Sequence, residues 1–124
     1  MPHAWIGAEF VLAVLGLFAY ECPADDSLVL AAGISAAWLD AGEVGIVDLP
    51  TWWGRLGYTM RRRQGNAIEL DLSRGLRPPP GGIVIRPPLP RPLVAVELDG
   101  RPMADFDAER ATLREAPAHV VMRF

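Results

Sequence analysis

The sequence contains no lysine: all 12 basic residues are arginines, against 15 acids, for a net charge of −3. That balance gives no broad field for nucleic acid or an anionic membrane, so neither is an expected partner. Cysteine is nearly absent too. Cys22 stands alone, which excludes an internal disulfide and a cysteine-based zinc site. The two histidines, His3 and His119, lie at opposite ends of the chain with no carboxylate or cysteine at ligand spacing, so no metal is expected. Ser27, Ser35 and Ser73 lack a nucleophile-elbow context, and Gly81-Gly82 follows three prolines as a turn rather than a phosphate cradle. No complete catalytic set and no cofactor motif is present.

Charge is scarcest at the start. From His3 to Glu21 the only charged side chains are Glu9 and Glu21, and Trp5, Ile6, Phe10, Val11, Leu12, Val14, Leu15, Leu17 and Phe18 fall at all helical angles. A helix that is apolar all round belongs in a large core or in lipid, whereas one sheet covers only a single stripe of it. The run has no Lys or Arg before it and carries Glu9 inside it. Ala19-Tyr20-Glu21-Cys22 also lacks the small residues of a cleavage site. These features argue for a structural helix over a membrane span or export signal, with the cytoplasm as the expected compartment. The helix is expected to end near Glu21, because Pro23 cannot continue it. Its apolar surface then calls for self-association through residues 3–21 or for docking on another domain.

After Gly33 the period changes from helical to that of strands. Ser27 to Ala32 reads as a strand, Ile34 to Asp40 as a helical turn capped by Ser35, and Glu43 to Asp48 as a strand closed by Pro50. Arg55 to Arg63 and Asn66 to Leu72 form the clearest hairpin. Ile68, Leu70 and Leu72 alternate there with Glu69 and Asp71 on a wet face, and Arg61-Arg62-Arg63 enters a solvated turn. Pro87, Pro88, Pro90 and Pro92 make an extended crossover between sheets rather than a ligand for proline-binding modules. Leu93 to Leu98, the turn Asp99-Gly100, and strands around Arg110 to Leu113 and His119 to Phe124 complete the pattern. At 124 residues this predicts one antiparallel β-sandwich of about 7–8 short strands over residues 23–124, preceded by an N-terminal apolar α-helix over 1–22.

The order Pro2-His3-Ala4-Trp5-Ile6-Gly7-Ala8-Glu9-Phe10-Val11, then Leu28 to Ile34 with Trp38-Leu39, then Leu49-Pro50-Thr51-Trp52-Trp53-Gly54 through Tyr58, resembles the C-terminal end of bacterial glycoside hydrolases. It is similar to rhamnosidase-like enzymes in which an (α/α)-barrel catalytic domain precedes a small β-sandwich, with Leu76 to Arg86 and Val96 to Pro102 in the sandwich. The resemblance implies that residues 3–21 are the last barrel helix, wrapped by neighbours in the parent. It also implies that the acid and base carboxylates of hydrolysis lie upstream, outside this chain.

Three functions follow as expectations. The first is a non-catalytic accessory β-sandwich with a structural or interaction role. The second is a carbohydrate-binding module using Trp52, Trp53 and Tyr58, since flat aromatic faces stack on the CH surfaces of an oligosaccharide. Neighbours on a strand point to opposite faces, however, so one of the adjacent tryptophans belongs to the core. The third is a small hydrolase built on Glu9 and His3. The resemblance carries His3, Trp5 and Glu9 over only as pocket lining in a parent enzyme, and glycoside hydrolysis needs two carboxylates.

Overall fold

The hairpin pattern sets the larger of two sheets. A computed structural model describes residues 15–64 and 66–124. In it, β3 (Val44–Thr51), β4 (Gly54–Arg63) and β5 (Ala67–Leu72) run antiparallel, and β10 (Ala118–Arg123), β7 (Ala95–Leu98) and β8 (Arg101–Met103) complete the order β3-β4-β5-β10-β7-β8. A second sheet, β1-β2-β6-β9, is built from Ala19–Cys22, Ser27–Leu30, Ile83–Ile85 and Ala111–Leu113. All neighbours are antiparallel except β2 and β6, which pair in parallel. The chain is mainly β and sandwich-like, as its alternation predicts.

Alternation also fills the core. One face of the larger sheet contributes Leu56, Tyr58, Met60, Ile68, Leu70, Leu72, Val120, Met122 and Val96, and the smaller sheet contributes Leu28, Leu30, Ile83, Ile85 and Leu113. A short helix, α1 (Ala36–Ala41), links the two sheets and is capped as expected: the Ser35 hydroxyl accepts the Trp38 N–H at 3.3 Å. Leu39 enters the core, and Asp40 pairs with Arg62 on β4 at 3.1 Å. The proline segment 87–92 does cross from the smaller sheet, after β6, to the larger, before β7.

Four expectations are corrected. Of the helix expected over 1–22, residues 1–14 lie outside the described residues, residues 15–18 are helical, and Ala19–Cys22 forms strand β1, so the sandwich starts before residue 23. Pairing with β2 drops Ala19 into the core and turns Tyr20 outward, which a continued helix could not do against a single sheet. Residues 15–18 lie hard against Gly33, where a Cβ would come within 2.7 Å of the Leu17 Cα, so glycine is required there. Among the described residues the strands number ten rather than 7–8, since the alternation marks neither β1 nor the three-residue β8. Pro50 does not close β3: as an edge strand, β3 tolerates a missing N–H and runs on to Thr51. Finally, Glu69 is not wet but 3% exposed.

Tyr58 ties residues 15–18 to the sandwich. Its hydroxyl donates to the Phe18 carbonyl at 2.6 Å, and burial pushes the phenol well above its ordinary value of 10.0. A raised folded value means that the stabilisation by the neutral phenol is whole below about pH 10 and is lost as pH rises beyond it, by up to roughly 1.4 kcal/mol per pH unit. Urea titrations between pH 8 and 11 are therefore expected to show a steep alkaline loss that Tyr58→Phe flattens. At pH 7 the same substitution costs only about 1 kcal/mol, because the Phe18 carbonyl keeps its bond from the Ala31 N–H at 2.8 Å.

Candidate functional site

The outward face of the larger sheet collects charge by register. Asp71 sits between Thr59 on β4 and His119 on β10, and Glu69 sits between Arg61 and Val121. His119 Nδ1 lies 2.5 Å from Asp71 Oδ1, its Nε2 lies 4.0 Å from Glu69 Oε2, and its backbone N–H donates to Asp99 Oδ1 at 2.9 Å. The three ligand-type side chains have oxygen and nitrogen atoms within 4.8 Å of one another. Spacing along the chain hid this group, because Asp71 and Glu69 reach His119 across the sheet rather than along the sequence.

Charge decides what the group can hold. The Arg61 guanidinium bonds Glu69 Oε1, through Nε at 3.1 Å and again through Nη2, while Arg63 Nη1 bonds Glu69 Oε2 at 2.7 Å. Both oxygens of the only buried carboxylate among the described residues are thus taken by cations. Glu69's hydrogen bond and charge in turn push Arg61 further above its ordinary range. A divalent ion seated between Glu69 and His119 would face two guanidinium groups, so the donor set suits an internal ion-pair cluster better than a metal.

The expected aromatic site does not assemble. Trp52 and Trp53 form the two-residue turn between β3 and β4, held by Thr51, whose Oγ1 donates to the Gly54 carbonyl at 2.7 Å and accepts the Trp53 N–H at 3.1 Å. Gly54 makes the turn possible at φ 117°. Trp52 projects at 66% exposure, its backbone N–H donating to Glu21 Oε1 at 2.6 Å. Trp53 packs against the core, and Tyr58 is sealed within it. Of the three residues only Trp52 offers a face to a ligand. His3, Trp5 and Glu9 lie outside the described residues.

Trp52 has apolar neighbours that the sequence reading passed over. Five large hydrophobic side chains are exposed among the described residues, and four of them, Tyr20, Trp38, Val47 and Trp52, fall between positions 20 and 52. They sit on edge strands β1 and β3, on α1 and on the hairpin turn. Between the two edges runs a groove of about 310 Å³ lined by Ala19, Tyr20, Glu21, Leu49, Pro50 and Thr51, among others. Trp38 stacks on Phe18 with ring centroids 6.3 Å apart, fixing α1 to the point where residues 15–18 enter β1. A concavity of about 630 Å³ along the proline crossover is open, and its Arg86 is bonded to Glu109 at 3.4 Å.

No protein-family model matches the chain, and neither does any curated protein or solved structure. Among the described residues no helix is long and apolar enough to cross a membrane.

Proposed function

We propose that this chain is a non-catalytic accessory β-sandwich, of the kind that follows the barrel in the glycoside hydrolases its sequence resembles, and that it works by packing against protein. The observation that carries this reading is the concentration of exposed apolar side chains on one flank, that of β1, β3, α1 and the Trp52 turn. Scattered apolar residues are ordinary on a surface, whereas a patch rimmed by polar groups marks a contact.

Light scattering on the full chain tests the reading. The native protein is expected to run above its monomer mass of 13.5 kDa. The pair Val47→Lys, Trp52→Lys is expected to weaken association at least tenfold, since charging two central contacts costs more than the about 1.4 kcal/mol that a factor of ten represents. A monomer at every concentration would sink the proposal.

Exposure of Trp52 favours a second reading, carbohydrate binding through stacking. Tryptophan fluorescence would then shift with added oligosaccharide and the shift would vanish in Trp52→Ala. An unchanged signal across a panel of neutral oligosaccharides eliminates it.

A further inference from the structure

Each sheet edge presents unpaired backbone groups, and three of the four are closed by devices visible in the fold. β3 is broken by a bulge between Ile46 and Leu49, with Asp48 at φ 54°, and carries Pro50. β8 is three residues long with Pro102 at its centre. β9 is covered by its own preceding segment, through the Phe106–Ala111 bridge and the Thr112 N–H donating to the Asp105 carbonyl at 2.9 Å. β1, four residues long and carrying Glu21, has neither a proline, a bulge nor a covering segment among the described residues.

The register shows which groups β1 leaves open. The Ala31 N–H donates to the Phe18 carbonyl, so Phe18 and Ala31 form a hydrogen-bonded pair, and by alternation Tyr20 and Cys22 turn their backbone groups toward β2. The N–H and C=O of Ala19 and Glu21 therefore point away from the sheet. These four groups, two residues apart, suit an antiparallel strand with the same spacing.

We infer that β1 pairs with β1 of a second copy of this chain about a two-fold axis at Tyr20, joining two sandwiches into one continuous sheet. This rests on the reading of the flank as a protein contact and specifies the partner. The arrangement is self-complementary: Ala19 bonds the partner's Glu21, Glu21 bonds the partner's Ala19, and no like charges stand opposite. Tyr20, exposed on the outer face, meets the partner's Tyr20 as a non-hydrogen-bonded pair with Cβ atoms about 5 Å apart. Where the chain continues supports a second copy over an unrelated strand. Apolar residues 3–14 reach each copy at residue 15, and antiparallel pairing of four-residue strands brings those two points within roughly 15–20 Å.

Disulfide trapping in the full chain tests the register. Tyr20→Cys in a Cys22→Ala background is expected to give a covalent dimer on mild oxidation, while Val94→Cys in the same background, exposed elsewhere, stays monomeric. Tyr20→Lys is expected to lower the association constant at least tenfold while far-ultraviolet circular dichroism keeps the native β signature. A native chain that dimerises while Tyr20→Cys fails to crosslink and Tyr20→Lys still dimerises would overturn the β1 pairing and leave the flank reading standing. A monomeric native chain would overturn both.

Discussion

Replacing Arg61 and Arg63 together by methionine is expected to destabilise the fold by about 3 kcal/mol or more, the range for stranding a buried carboxylate. Glu69 is 3% exposed, and its two oxygens are bonded to these two guanidinium groups. Methionine keeps much of the aliphatic cover over Glu69 while removing both donors, so water cannot easily take their place. The converse change behaves differently. Glu69→Leu leaves two arginines whose side chains are already 52% and 54% exposed, and these can turn to solvent. That variant is expected within about 1 kcal/mol of the native protein, and the triple variant Arg61→Met, Glu69→Leu, Arg63→Met recovers most of the loss. Urea denaturation with the slope held constant measures all three. Equal losses for the double and triple variants would mean that the arginines act through packing alone.

Leu70→Ala is expected to cost roughly 3–4 kcal/mol. Leu70 is fully buried on β5, flanked in register by Met60 on β4 and Val120 on β10, both also fully buried. With neighbours held by two ladders the walls cannot collapse inward, so the loss combines the transfer of three carbons with an unfilled cavity. Leu98→Ala near the β7–β8 turn is only partly buried and should cost less than half as much. A comparable loss at both positions, read from denaturant midpoints, would contradict a core centred on β5.

Much of this fold is legible in local chemistry. The alternation of Ile68, Leu70 and Leu72 gives β5, Ser35 gives the start of α1, and Asp99-Gly100 gives the β7–β8 turn, with φ values of 50° and 83° at the two residues. What escaped was decided by partners distant in sequence. Tyr20 to Cys22 continues an apolar helical run, and only pairing with β2 makes it a strand. Glu69 alternates as a solvent-facing residue should, and only arginines from β4 bury it. His119 reads as isolated because Asp71 and Glu69 approach from the next strand. Tyr58 reads as a binding aromatic beside Trp52 and Trp53, but alternation along β4 points it inward to the Phe18 carbonyl.

The strand order carries a consequence for how the chain is made. β10, residues 118–123, lies in the middle of the larger sheet between β5 and β7. Until it is present, β3-β4-β5 and β7-β8 are two separate meanders with no backbone bond between them. A ribosome adding about 5–20 residues per second exposes those halves for several seconds before the seam can be closed. During that interval the inner edges of β5 and β7 are open to pairing with other chains. Asp71 on one edge and Glu97 on the other oppose such pairing between nascent copies, since like charges would meet.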